Sequence, residues 1–454
     1  MEAKEMRRQI RSLSLPIIME SIFALSGNLV FIAILGRIDQ VGLDSITHVA
    51  AQGMATVVTG IIWWLLKGVG IGSTIKVAQA YGAGSGHMIK EVGIQTLLFN
   101  IFLGLVCSVT LYSAAELFIR LYNPAAATGA LAVRYIRIAC IGFPFLGIMH
   151  TATGVLQGVG NTKTPMIMSA ILNVVFILAG IPFIFGYIGQ PLGVVGAAIA
   201  LVIGQVITAT IGLYALFNHR GPLALEDNEE RKFFFKPRPK EMLEIASVGL
   251  PTGLENVFWQ FSAMVIGRLM LGYGELAYAA NQIGVQAESI ANMPAASFGI
   301  VTVTLCGRAI GAEDRKLGQD YLKQILRIAS FVVAFGMVLL IAFPHQLLRP
   351  LSPHEEVIAL AAIYCRIMGA VLPFSTAVQV YQGALKSSGL HRIPMYVALG
   401  GIWIVRVPLS ILAASFPQST IVWLWVIVFL DNFSRFVATM LVYRKKSVFS
   451  EARN

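Results

Sequence analysis

Apolar runs long enough to cross a bilayer alternate with short polar breaks along almost the whole of this chain. A hydrocarbon core of about 30 Å takes about 20 residues of helix. Twelve runs qualify, near residues 15–36, 49–79, 92–114, 132–157, 166–187, 193–217, 248–271, 281–308, 326–344, 359–385, 394–415 and 420–443. The pattern predicts an all-α integral membrane protein with twelve transmembrane helices. It also repeats. At a shift of 229 positions Gly70 falls on Gly299, Gly82 on Gly311, Tyr135 on Tyr364, Arg137 on Arg366 and Pro144 on Pro373. The same register carries Gly154 onto Gly383, Gly160 onto Gly389, Pro165 onto Pro394 and Met166 onto Met395. Six runs lie in each copy, an even number, so the two repeats enter the membrane the same way round. An internal repeat of membrane segments points to transport through a site formed by two halves. The expected division is a six-helix lobe at 1–217, a linker at 218–247 and a second six-helix lobe at 248–454.

Composition agrees: 56% of residues are hydrophobic, 13% are charged and the mean hydropathy is +0.74, where a soluble domain carries about a quarter charged residues. The net charge of +11 is explained by its placement. One set of alternate gaps holds Lys4, Arg7, Arg8, Arg11, Lys90, Lys163, the linker, Arg315, Lys316, Lys386, Arg392 and Arg444-Lys445-Lys446. The other set has little beyond Arg37, Arg120, Arg134 and Arg349. By the positive-inside rule both termini and the linker are cytoplasmic, in a multi-pass protein of the plasma (inner) membrane. The same placement speaks against a nucleic-acid surface. The charged start runs into the first span with no cleavage site, so an uncleaved first helix is expected. Cys107, Cys140, Cys306 and Cys365 fall in spans without metal spacing and read as small hydrophobes. No metal or other cofactor is expected, and a monomer is the expected state. The stretch from His219 to Glu244 reads as a solvated connector. Gly68 to Gly72 has the spacing of close helix contacts, not of a phosphate loop. Walker, nucleophile-elbow and zinc-helix motifs are absent, which speaks against an ATP-driven pump or a hydrolase.

Several corner sequences resemble the multidrug and toxic compound extrusion (MATE) family of secondary transporters. They are Leu156-Gln157-Gly158-Val159-Gly160-Asn161-Thr162-Lys163-Thr164-Pro165-Met166, Val248-Gly249-Leu250-Pro251 with Glu255, Ala279-Ala280-Asn281-Gln282-Ile283, Gly307-Arg308-Ala309-Ile310-Gly311-Ala312 and Trp403-Ile404-Val405-Arg406-Val407-Pro408. The resemblance implies a V-shaped antiporter of two six-helix lobes that exports organic solutes against an inward flow of protons or sodium. The chain also departs from it. Many members of that family carry an aspartate late in the first span, where this chain has Phe31. An acid often precedes the proline of the fifth span, where this chain has Ile181 before Pro182. Sodium-coupled members have an aspartate in the tenth span, where this chain has Thr376. On that comparison the family's amino-lobe cation site is expected to be absent, and coupling must use other groups.

Ionisable side chains in hydrocarbon are costly and mark function by default. Glu20 and Glu255 each lie four residues after a proline, Pro16 and Pro251, and each opens one copy in a register of 235. Drying a carboxylate disfavours its charged form, so such a group can take up and release protons as water access alternates. Proton and cationic cargo would then compete for one negative charge. The bland alternative is local pairing near the end of each helix. Glu288 is a third ion-coupling candidate, or else a partner for Arg268 or Arg308. Lys67, beside Trp63 and Trp64, is expected to pair with Glu20 or to hold an anionic group of the substrate. Lys76 is expected to snorkel. Arg406, next to Pro408, suits either the substrate or the carbonyls that a proline frees. Asn173 and Gln157 suit hydrogen bonds to a ligand or between helices. Asp431 and Arg435 have the spacing of an i, i+4 pair. The reading that follows is an antiporter, coupled to protons with sodium as the alternative, that exports amphipathic, cationic small organic molecules. A lipid-linked precursor flippase of the same superfamily and a non-transporting scaffold or receptor remain the rivals.

Overall fold

The computed structural model describes residues 3–35, 37–120, 124–187, 189–352, 354–446 and 448–449, and its regular structure is helical throughout. In chain order the helices are α1 (Ala3–Leu35), α2 (Ser45–Gly82), α3 (Gly86–Arg120), α4 (Ala126–Gly158), α5 (Lys163–Phe185), α6 (Val194–Phe217), α7 (Asn228–Phe234) and α8 (Pro239–Leu271). They continue as α9 (Glu275–Gly311), α10 (Arg315–Ala342), α11 (Pro344–Leu348), α12 (Glu355–Ser387), α13 (Arg392–Gly400), α14 (Val407–Ala414) and α15 (Ile421–Lys446). A short 3₁₀ turn (Ile38–Val41) follows α1, and a π segment (Gly401–Arg406) joins α13 to α14. Among the described residues ten stretches are long and apolar enough to cross a membrane: α2 to α6, α9, α10, α12, the run from α13 to α14, and α15. The remaining two long helices, α1 and α8, have 33 residues each, about 50 Å of helix. Each interrupts its apolar run with a glutamate, Glu20 or Glu255.

The repeat read from the sequence reappears in the corners. After α4 the chain turns on Gly160 at φ 81°, and Asn161 N–H donates back to Leu156 O at 2.8 Å. After α12 it turns on Gly389 at φ 83°, and Leu390 N–H donates to Leu385 O at 3.0 Å. Both are left-handed helix ends of the kind glycine permits. The α2–α3 and α9–α10 corners match in the same way, with Ser85 N–H on Ala80 O and Asp314 N–H on Ala309 O, both at 3.0 Å. Here Glu313 takes φ 54° where the first copy has Gly84 at 70°.

By contacts the chain forms two compact units, Met19–Gly253 and Met1–Ile18 with Leu254–Asn454. The division falls inside α1 and α8, two residues after each helix's proline, rather than at residues 217 and 248. Each long helix therefore contributes its first part to one unit and the rest to the other.

Among the described residues the Met19–Gly253 unit has two large apolar cores and a smaller cluster of Leu97, Ile148 and Ala209. One gathers Leu35, Ala51, Leu66, Leu111, Ile136, Phe143 and Val194. The other gathers Val69, Val77, Ile94, Val155, Met168 and Leu216. Along α2, α3 and α4 a polar band separates them: Lys67, Asn100, His150 and Thr151. The start of α8 lies against α2 with almost nothing between backbones. A Cβ at Gly249 would stand 2.7 Å from Gly68 O, and one at Gly68 would stand 2.6 Å from Gly253 N. No rotamer change relieves a clash with backbone. Gly249→Leu should therefore cost about 1–3 kcal/mol, read as a lower melting temperature of the purified protein. An unchanged melting temperature would contradict this crossing.

The connector is docked on this unit, which corrects the expectation of a solvated linker. Phe233-Phe234-Phe235 gives the charged stretch an apolar side, and Leu223 and Phe234 are buried in the second core. Gln95, fully buried on α3, donates to Phe234 O and Lys236 O and accepts from Arg238 N–H, all at 2.9 Å. Lys90 pairs with Glu230 at 3.2 Å, Lys76 with Glu244, and Arg238 with Glu91. Hydrogen bonds from Glu226 N–H and Lys90 hold the Glu230 carboxyl below the usual carboxylate range. That contribution is complete above ordinary carboxylate titration and is lost only as pH falls through the lowered value.

The other unit packs the start of α1 (Met6, Ile10, Leu13, Ile17) with Phe298, Leu305, Tyr321 and Ile325. A second core joins α9, α12 and α15 around Ala287, Tyr364, Met368 and Trp425.

Candidate functional site

Each unit holds one of the two proline-associated glutamates, and among the described residues each glutamate has a side-chain hydrogen-bond partner. In the Met19–Gly253 unit Gln157, near the end of α4, donates from Nε2 to Glu20 Oε2 at 3.2 Å. In the other unit Lys386, near the end of α12, donates from Nζ to Glu255 Oε2 at 3.3 Å, with side chains only 11% and 19% exposed. Gln157 and Lys386 are themselves repeat equivalents, at the shift of 229. The same contact is thus built twice, once with a neutral amide and once with an ammonium.

The difference matters chemically. A carboxamide can donate to a carboxylate or, turned over, accept from a carboxylic acid. An ammonium has donors only. The Gln157 contact can therefore persist whether or not Glu20 carries a proton, whereas the Lys386 contact is an ion pair only while Glu255 is ionised. Local pairing, one of the two readings of the sequence, is the arrangement found for Glu255.

Lys67 supplies the cation that the first copy lacks at residue 157. It acts electrostatically on Glu20 without closing to an ion pair within 4 Å among the described residues. Its Nζ lies 4.5 Å from the centre of the Trp63 ring and 5.1 Å from that of Trp64, within cation–π range. Trp63 in turn meets His150 edge-on at 5.2 Å. Asn173 reaches from α5 to α1, donating to Phe23 O at 3.0 Å and also to Ser169 O at 2.9 Å. Its interhelical role is thus filled in this arrangement. Phe31 lies outside the residues whose side chains are described.

Glu288 stands apart from Glu255. Tyr364 donates to its Oε2 at 2.5 Å, and Asn292 lies 3.5 Å from its Oε1. The expectation of Arg268 or Arg308 as partner is thereby corrected: α9 packs on α12, which brings Tyr364 across, and the nearby charge is Arg406. Arg406 is itself engaged. It lies 2.8 Å from Oδ2 of Asp431, whose Oδ1 and Oδ2 also accept from Arg435 at 2.7 and 2.6 Å. Arg406 is thus held in an ion pair in this arrangement. Pro408 cannot donate to a carbonyl a turn back and crowds it, and the π segment at Gly401–Arg406 takes up the irregularity. A Cβ at Gly401 would stand 2.4 Å from Asp431 Oδ1, so a glycine is needed beside the ion pair. The i, i+4 pairing of Asp431 with Arg435 is as read from the sequence. Thr376 donates to Leu372 O at 2.9 Å, within its own helix.

The site residues not singled out in the sequence are Lys386, Tyr364, His150 and Asp431 as the partner of Arg406. The repeat register carried a signal for two of them: Lys386 is the counterpart of Gln157, and Tyr364 that of Tyr135. Metal-binding groups of three or more His, Cys, Asp or Glu are absent among the described residues.

The arrangement can be set beside known proteins. The family model described as MatE matches the chain twice, over residues 16–185 and 251–412. The probable multidrug resistance protein NorM of Thermotoga maritima is 26% identical over 446 residues, covering 97% of this chain and 93% of that protein. The probable multidrug resistance protein YoeA of Bacillus subtilis is 27% identical over 427 residues, covering 92% and 89%. A crystal structure of MATE in complex with MaL6 superposes with a TM-score of 0.88 at 18% identity, covering 98% of this chain and 97% of that one. A transporter of the MOP superfamily from Pyrococcus furiosus, described as having reversed polarity in its binding pocket, gives the same values.

Proposed function

This chain belongs to the MatE family of secondary transporters, and from that premise we propose that it exports amphipathic, cationic organic molecules in exchange for protons. It is a membrane transporter and not an enzyme. The names of the two relatives as multidrug resistance proteins support efflux of foreign compounds. The observation that carries proton coupling is the glutamate contact built once in each repeat, Glu20 with Gln157 and Glu255 with Lys386. A ligand biases an alternating-access cycle only if its free energy differs between the two orientations. A proton on Glu255 supplies that difference, because it removes the negative charge that pairs with Lys386 and leaves only a neutral carbonyl acceptor. Glu20 is the place where cargo and proton exclude each other: Lys67 balances its charge when the site is empty, and a cationic substrate takes over that role. Trp63 and Trp64 offer the apolar part of the cargo a surface. Glu288, held by the Tyr364 hydroxyl, is a further coupling candidate in its unit. The proposed residence is the plasma membrane, and the distribution of lysine and arginine supports cytoplasmic termini.

Uptake of a fluorescent organic cation into proteoliposomes tests this. An imposed pH gradient should drive uptake and a sodium gradient alone should not. Glu20→Gln should lower the pH-driven rate and weaken cation binding together. Uptake driven by sodium alone, or a Glu20→Gln variant with unaltered rate and affinity, would reject the proposal.

A further inference from the structure

Basic residues are scarce in the gaps read as facing away from the cytoplasm: Arg37, Arg120, Arg134 and Arg349. Two of these four line one cavity. It has a volume of about 530 Å³ and lies in the Met19–Gly253 unit where α3 ends and α4 begins, lined also by Arg137 and Glu116. Three arginines and one carboxylate thus line it. That carboxylate is already shared, its Oε1 taken by Arg137 at 3.0 Å and its Oε2 approached by Arg120 at 3.7 Å. Arg134 is exposed and has no ion-pair partner among the described residues. The Nε of Arg137 is buried and has no hydrogen-bond partner among them, while its guanidinium is steadied over the Tyr112 ring at 5.4 Å. The start of α4 lines the same cavity with Pro124, Ala125 and Ala126, and no side chain caps it. Such a helix start adds positive potential.

We infer that this cavity binds a phosphate group. Retaining two arginines against the positive-inside bias beside a third, Arg137, needs an anionic counterpart, and a guanidinium fork matches a tetrahedral phosphate by paired, charge-assisted hydrogen bonds. Arg137 is fixed in place by Glu116 and Tyr112, whereas Arg120 and Arg134, on the exposed rim, close on the ligand. The phosphate can come from an anionic lipid headgroup in the adjoining leaflet or from solution, and the two sources are separable by experiment.

The full-length protein is placed in nanodiscs of phosphatidylcholine alone or of phosphatidylcholine with phosphatidylglycerol. Lipid retained on release is measured by native mass spectrometry. Separately, inorganic phosphate is titrated against thermal unfolding in the phosphatidylcholine discs. A lipid ligand gives retained phosphatidylglycerol at one molecule per protein, and a soluble ligand gives saturable stabilisation by inorganic phosphate. In either arm the Arg120→Gln/Arg134→Gln variant should bind at least about tenfold more weakly, the loss expected for charge-assisted bonds to two guanidinium groups. Both positions are exposed, so the variant should fold as the wild type does. Arg349→Gln, an exposed site in the other unit, should bind as the wild type does. Absence of both signals in the wild type, equal binding by the double variant, or an equal loss in Arg349→Gln would each overturn the inference.

Discussion

Replacing Asp431 by alanine should prevent stable folding of the unit that contains it. Asp431 is fully buried and is the carboxylate within 4 Å of both Arg406 and Arg435. Its removal leaves two guanidinium groups, 10% and 13% exposed, without a counter-ion. Breaking a buried pair by deleting one partner costs about 3–5 kcal/mol, comparable with a large part of a domain's net stability of about 5–15 kcal/mol. The expected result is loss of monodisperse protein after detergent extraction, or a strongly lowered melting temperature where some survives. Balanced removal of the cluster, as Arg406→Gln/Asp431→Asn/Arg435→Gln, should recover much of the loss, since the cost lies in the uncompensated charge. Normal folding of Asp431→Ala would show that water or lipid headgroups reach these arginines and that the burial argument is wrong. The same crowding predicts sensitivity at Gly401, whose absent side chain makes room for the pair.

What could be read before the structure depended on how far apart in sequence the interacting groups lie. The Asp431–Arg435 contact obeys helical spacing and was legible. So were the corners, because glycine at Gly160 and Gly389 declares a left-handed residue and the repeat places both at once. Contacts between helices carry no such spacing. Glu20 meets Gln157 across 137 positions and Glu288 meets Tyr364 across 76, and hydropathy does not report which faces oppose. Lys386 was counted as a loop charge because it sits near the end of its helix, yet its side chain turns back to Glu255. The linker misled for another reason. Its charges dominate the composition, while three consecutive phenylalanines and one buried glutamine outside it, Gln95, determine that it docks. The repeat register still held information beyond the architecture. Pairing Gln157 with Lys386 and Glu20 with Glu255 would have predicted one contact from the other.

On the proposed coupling the two duplicated contacts differ in role, and Glu255→Gln should have the larger effect on transport. A glutamine at 255 has the shape of the protonated acid and no charge to lose. It cannot hold Lys386 as an ion pair, and no proton can restore or remove that pair. The unit should then lose the free-energy difference through which a pH gradient biases the cycle, and pH-driven accumulation should fall to the level of empty vesicles. Binding of the organic cation at Glu20 should survive, because Gln157, Lys67 and the two tryptophans are untouched. Lys386→Gln separates coupling from mere pairing. It recreates at the second copy the neutral contact already present at Glu20, and it leaves the Glu255 carboxyl in place. That variant should keep pH-driven accumulation at reduced rate. Transport measured in the same proteoliposomes, with cation binding followed by fluorescence, distinguishes the cases. Accumulation that is intact in Glu255→Gln, or abolished equally in Lys386→Gln, would mean that the ion pair is structural and that proton coupling resides elsewhere, with Glu288 the next group to examine.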